Sequence, residues 1–486
     1  MSHLFRRSTW ILAACVFVTP RIAAAADGTT PTFSKDIAPI FYKSCVTCHR
    51  PGEATPFSLM SYDTARPWAR AIKKKVVARE MPPWFADPQY GHYSNDPRLS
   101  QKDIDAIAAW VDGGSPKGLE KDLPAPPAFA SGWLHPDGTA PDAIIEMPLE
   151  FKAPGTGEIP MTTFYTPVPF AQDKFVEATQ AKPGNRAFVH HAVIHGKKLP
   201  EGSKVDPATG LLVNAKTGRP FAEQIREVGV NEETPREGAE RFDRANNFER
   251  AQDVFDNSSD VWIATYAPGW LFEKYKPGIG KRVGSGADGW HISFNMHYQP
   301  TGKPEGDRTL LALWYQKAPL ERELVTRRVG DMHIVEGKQI LNQPGVTQRQ
   351  TLPNIPPYAE NWAIAAITPI LEPIAIYQFN PHMHLRGHDM KYVAVYPDGR
   401  EETLFSVPKY DFNWQLPYAN AEAVRLPAGS KLVVYGHYDN SVKNRFNPAP
   451  GKEVYWSEQS WDEMYSPFME FTKDAKAAKP TDSRQH

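Results

Sequence analysis

Apolar positions follow two different periods along this chain, and the change comes near residue 120. Before it the spacing is helical. Phe33 to Tyr42 puts Ile37, Ile40 and Phe41 on one face and runs up to a cysteine pair. Ser100-Gln101-Lys102-Asp103 is a capping-box signature, in which the first side chain caps the backbone N–H three residues on. It predicts a helix carrying Ile104, Ile107, Ala108 and Val111 at helical spacing, stopped by Gly113-Gly114. From about residue 143 the chain reads as strand. Met390 to Tyr396 and Lys431 to Tyr435 are β-rich runs, and the first leads into the turn Pro397-Asp398-Gly399. Between the two regimes, a proline-rich stretch from Leu123-Pro124-Ala125-Pro126-Pro127 to Pro141 predicts an interdomain linker. Residues 196–290 are more polar and carry the charge cluster Arg236 to Arg241, which predicts a long insertion or large loops. No internal repeat is visible.

The first 26 residues read as a secretory signal. Arg6 and Arg7 give a basic start, Thr9 to Val18 is apolar but too short to span a bilayer, and Ala24-Ala25-Ala26 offers a cleavage site before Asp27. Leu12-Ala13-Ala14-Cys15 also looks like a lipoprotein box, and Arg6-Arg7 like a twin-arginine signal, but the flanking residues suit ordinary cleavage better. No later segment is apolar enough to cross a membrane, so a periplasmic or secreted protein with no transmembrane segment in its mature form is expected. Loss of the signal removes Cys15. Of three cysteines, only Cys45 and Cys48 remain, so no disulfide framework can form and the fold must rest on core burial. With 55 basic and 56 acidic residues and no basic stripe, nucleic acid is not an expected partner. The 46 prolines and the scarcity of helical periodicity after residue 120 fit many short strands and turns.

Cys45-Val46-Thr47-Cys48-His49 is a haem-attachment motif: two thiols bond the vinyl groups, and the histidine lies under the iron. Export argues against a thiol switch, and no second cysteine pair exists to complete a zinc site. Helices before and after the motif fit a small class I-like cytochrome c over residues 31–117. The expected sixth ligand is Met81, in Arg79-Glu80-Met81-Pro82-Pro83-Trp84, with Met60 and His92 as competitors.

Five histidines and a methionine after residue 143 have metal-ligand spacing. His382 and His384, two apart on a strand, share a face. Met464, in Asp462-Glu463-Met464, adds a thioether, which favours copper(I) over zinc. His190 and His191 are neighbours, so both can reach one metal only at a bulge or strand end. His297, in Asn295-Met296-His297-Tyr298, would complete a three-imidazole site.

In this ordered set the chain resembles the copper type II, ascorbate-dependent monooxygenases, such as dopamine β-monooxygenase and peptidylglycine α-hydroxylating monooxygenase, from about residue 145 to 472. The resemblance implies two β-sandwich, jelly-roll-like lobes facing across a solvent cleft, here over 143–320 and 321–475, with linker 118–142 before them and a polar tail 476–486 after. It implies that His190, His191 and His297 hold an electron-transfer copper. His382, His384 and Met464 would hold the copper that binds dioxygen and hydroxylates a C–H bond of a small organic substrate. The chain departs from the family in having no lobe cysteines. Asn380 stands where the amidating enzyme has a carboxylate-gripping arginine, and Phe468 where it has a tyrosine, so a peptide terminus is a poor substrate guess. His195, His388 and His437 match no family ligand and are read as structural.

The expected activity is therefore a haem-fed copper monooxygenase, with electrons from a periplasmic or respiratory donor entering at the haem. The alternative is a non-catalytic haem and copper electron carrier. A blue-copper nitrite reductase or multicopper oxidase is excluded by the lack of a cysteine outside the haem motif.

Overall fold

A computed structural model describes residues 30–474 apart from 54, 130–131, 158, 220–259, 338, 341–351 and 458. The signal, the Arg236–Arg241 cluster and the polar tail lie outside the described residues. Among those described, the helices come first and the strands follow from Ala143 onward, so the molecule is mostly β-sheet. No helix is long and apolar enough to cross a membrane.

The helical part has its own core. A helical lead-in over Phe33–Ile37 continues as the helix Ala38–Ser44, two residues beyond the sequence expectation. The helix Gln101–Asp112 is capped by Ser100, whose hydroxyl accepts from Asp103 N at 3.1 Å, and Gly113 closes it. Phe33, Phe41, Ile104, Ile107 and Trp110 are buried together. Edge-on rings, Phe41 against Trp110 at 6.3 Å and Phe33 against Tyr62 at 5.6 Å, fill the space between the helices.

Two further cores belong to the β region. One gathers residues between Ile145 and Leu313, the other residues from Val325 to Phe471 together with Trp84 and Ala86. The first lobe contributes a four-stranded sheet, ordered Thr162–Pro167, Trp290–Tyr298, Val189–Lys198, Asp260–Tyr266. The second contributes a six-stranded sheet that includes Trp362–Pro369, Lys431–Tyr438 and Gly387–Val395. A nine-stranded sheet is common to both. It passes from first-lobe strands to second-lobe strands where Ile279–Val283 pairs in parallel with Arg322–Arg328. At that seam the buried Lys281 Nζ lies 2.6 Å from Glu470 Oε1 of the second lobe and 3.5 Å from Glu273 Oε2 of the first.

The stretch 196–290, expected to hold a long insertion or large loops, also carries the sheet strands Asp260–Tyr266 and Ile279–Val283, with Val261 and Ile263 buried. The proline-rich linker packs against the first lobe. His135 is buried and stacks on Trp314 at 5.4 Å, Trp133 meets Trp314 edge-on, and Trp314 Nε1 donates to Thr139 O. Its aromatic residues find an apolar surface, which the prolines around them conceal.

Two segments between the helices touch the β region. Glu53 pairs with Arg186 of the first lobe at 2.8 Å, and a Cβ on Gly269 would stand 3.7 Å from Cys48 Sγ. Residues 84–95 lie on the second lobe. Trp84 and Tyr93 pack on Tyr418, and Asn95 Nδ2 donates to Pro417 O.

Candidate metal centre

His190, His191 and His297 converge. Their strands pair antiparallel, with His297 opposite His191, and the register then slips so that Tyr298 faces Val189. His190 is the extra residue of that bulge. Without it the pleat would send adjacent side chains to opposite faces. With it, His191 Nδ1 lies 3.0 Å from His190 Nδ1 and 3.4 Å from His297 Nδ1. One ligand atom from each of the three lies within 4.8 Å of the others. Nitrogens bound to one ion at roughly 2.0–2.1 Å stand about this far apart, so the donor set fits a metal. Burial pushes His190 down to about 4 and His297 to about 3, and the neighbouring imidazoles add to the effect on His297. His191 falls well below its ordinary value for the same reasons. All three rings are neutral at pH 7, with no proton to displace before ligation.

His382 ends the strand Ile374–Met383, and His384 lies just past it. Their ring centroids are 5.2 Å apart. His382 Nδ1 donates to Gln415 Oε1 at 2.6 Å, which leaves Nε2 with the lone pair. His384 Nδ1 is buried with no hydrogen-bond partner, which suits a nitrogen that ligates a metal. Burial holds both rings neutral, His382 at about 4 and His384 well below the usual range. Met464 lines the same cavity as both.

The loop that carries Met464 is held to the histidine strand by Glu463. This fully buried carboxylate accepts from His384 N at 2.9 Å and Arg386 N at 2.6 Å. Burial pushes it up to about 8, against those bonds and the Arg386 charge. Arg386, also buried, donates to Asn440 Oδ1 and Trp461 O. The sequence motif contained Glu463 but gave it no role; a carboxylate next to a thioether ligand was the only signal. Nothing in the sequence marked Tyr410, whose hydroxyl exchanges hydrogen bonds with the Met383 backbone, or Phe412 and Gln415.

A cavity of about 420 Å³ is lined by His382, His384 and Met464 of the second set and by His191 of the first. Its first-lobe wall carries Asn295 and Ser293 in line with His297, and Val193, His195 and Lys197 in line with His191. The second-lobe wall carries Asn380 with His382, and Ser466 and Phe468 beyond Met464. Trp262 and Phe468 meet edge-on across it at 4.6 Å. Of the histidines read as structural, His195 bonds Asp260 at 2.6 Å, while His437 and His388 both bond Asp389 at 2.8 Å.

In the helical part, Cys45, Met60 and Met81 all pack against its core. Burial raises both thiols, Cys45 to about 12 and Cys48 to about 11, so neither is a reactive thiolate. His49 Nδ1 is 3.3 Å from Phe57 O, which leaves Nε2 as the free donor, as an iron ligand requires. His92 is exposed on the segment that lies along the second lobe.

No known protein family and no curated protein matches the chain. Among solved structures, PNGF-II has a TM-score of 0.22 at 8% identity, over 71% of this chain; the chain spans 63% of that protein's length. An infectious bursal disease virus VP2 subviral particle has a TM-score of 0.16 at 8% identity, over 71% of this chain and 75% of that one. Likenesses of this size bear on neither fold nor chemistry.

Proposed function

We propose that this chain is an exported, haem c-linked copper monooxygenase that hydroxylates a C–H bond of a small organic substrate. One observation carries the reading. His190, His191 and His297 converge on one another, and His191 lines the same cavity as His382, His384 and Met464. A three-imidazole set beside a set with a thioether is the asymmetry expected when one site passes electrons and the other meets dioxygen; the thioether favours copper over zinc. When bound, copper and haem supply one-electron redox chemistry, and the copper beside the thioether a place for dioxygen.

The protein's own groups do the arranging. Gln415 fixes the tautomer of His382. Glu463 ties the Met464 loop to the strand of His384. Trp262, Phe468 and Trp456 give the cavity apolar walls for a carbon skeleton, and Asn295, Ser293 and Asn380 give it polar points of attachment. A cavity of that volume against the His382, His384 and Met464 set favours catalysis over the alternative of a simple electron carrier. The Glu53–Arg186 ion pair holds the Cys-x-x-Cys-His segment on the first lobe, which fits electron entry there from a periplasmic or respiratory donor.

The test begins with metal analysis and a pyridine haemochrome assay on the copper-loaded protein, expected to give two coppers and one covalent haem. Incubation with ascorbate, dioxygen and a metabolite pool is expected to yield a product that has gained one oxygen atom. Zinc retained at both histidine sites after copper loading, or haem lost to acid-acetone, would sink the proposal.

A further inference from the structure

We infer that Phe412 is a positioning residue that spaces the two histidine sites and keeps water from the gap between them. The inference rests on reading both sites as copper sites.

The ring of Phe412 touches both. Its centroid lies 6.0 Å from His190, nearly parallel at 23°, and 6.1 Å from His297. It lies 5.9 Å from His384, edge-on at 85°. Those two legs, through a single ring, set the upper bound on the distance from His190 to His384. The family resemblance implies an open, solvent-filled cleft between the sites. In this chain a hydrocarbon ring lies 5.9–6.1 Å from imidazoles of both sites.

Phe412 belongs to the loop between strands Glu401–Val407 and Tyr418–Leu426 of the second lobe. The loop is pinned on each side of it to the strand that carries His382. Two residues before, the Tyr410 hydroxyl donates to Met383 O at 2.8 Å and accepts from Met383 N at 3.1 Å. Three residues after, Gln415 accepts from His382 and donates to Phe412 O at 3.3 Å. The backbone of Phe412 thus moves with the second site while its side chain bears on the first.

A core role alone does not explain this placement. The ring packs only at the margin of the second-lobe core and is half-buried, and the imidazoles it touches come from both lobes. A phenyl group offers no donor or acceptor. Its place would otherwise be filled by water, which would screen the charges at the two sites and hydrate the ligands.

The experiment uses the full-length protein loaded with two Cu(II). Electron paramagnetic resonance reads dipolar broadening between the ions, and water-proton relaxation reads solvent access. Wild type is expected to show broadening and low relaxation. Phe412→Ala should lose broadening and gain relaxation, and Phe412→Tyr, which keeps the ring, should restore both. Two bound coppers with unchanged broadening and relaxation in the alanine variant would overturn the inference and leave the functional reading intact. Absence of broadening in a two-copper wild type would do the same. A wild type that bound no second copper would remove the functional reading and the inference together, and copper analysis tells these cases apart. Loss of either ion in Phe412→Leu also counts against it, because Phe412 would then be supporting ligands rather than spacing sites.

Discussion

His191 and His297 stand opposite each other on neighbouring strands, whereas His384 and Met464 reach one cavity through a strand end and a loop bridged by a buried carboxylate. The first arrangement is set by backbone pairing, with one bulge to turn His190 inward. The second depends on Glu463 and Arg386, which share a buried, charge-bearing network. Ligands fixed by a sheet ladder need little side-chain support. Ligands fixed by a loop make their geometry hostage to one side chain, and leave the site able to adjust.

The largest expected effect breaks that contrast at Glu463. Glu463→Ala removes the acceptor from the buried His384 and Arg386 N–H groups, a loss of about 1–3 kcal/mol for each. Urea unfolding should show it, and copper analysis should find the second site emptied and the first still loaded. His297→Ala, the matching change in the first lobe, leaves no buried charge and should cost only about 1 kcal/mol while emptying its own site. Equal losses in the two variants would erase the distinction.

Met464→Ala sharpens the contrast in chemistry. Hydroxylation should disappear while the His190, His191, His297 site stays metallated, read by product assay and copper content. Full activity in that variant would take Met464 out of the mechanism.

A smaller effect is expected where the helical part meets the first lobe. Arg186→Ala removes a partly buried ion pair whose acid keeps Arg50 at 2.6 Å, so the loss should be about 1 kcal/mol. Limited proteolysis around residues 50–57 should speed up while both copper sites persist.

The smallest effect concerns acid. Burial alone would raise Asp389, but hydrogen bonds from His437 and His388 outweigh it and hold the carboxyl below its usual range. A depressed carboxylate stabilises the fold above its unfolded value, near pH 4, and that contribution fades as pH falls through the lower folded value. Asp389→Asn should flatten the acid limb of a stability-versus-pH curve by a few tenths of a kcal/mol to about 1 kcal/mol. An unchanged limb would show that the histidines give Asp389 nothing.

The helix capped by Ser100 was legible from residue types, because capping and apolar spacing are local. So were the strands around Met390 and Lys431 and the need for a bulge at His190-His191. The pairing of Ile279–Val283 with Arg322–Arg328 was not, since parallel pairing joins segments with no shared local pattern. Strand Asp260–Tyr266 was hidden by polar neighbours. Glu463 could be seen but not assigned, because its burial depends on Arg386 and on a strand far away in sequence. Phe412 and Gln415 gave no signal, since a loop side chain acquires its role only from what the fold brings to it.

The parallel pair at the lobe seam also limits how the chain can be cut. A fragment ending near residue 320 would leave strand Ile279–Val283 with an unpaired edge and Lys281 without Glu470. Such an edge is a template for another copy, and an ammonium left with only the more distant Glu273 weakens the strand behind it. The isolated first lobe would tend to self-associate in the cell, and the recombinant route to the first site runs through the intact pair of lobes with the second site's ligands removed.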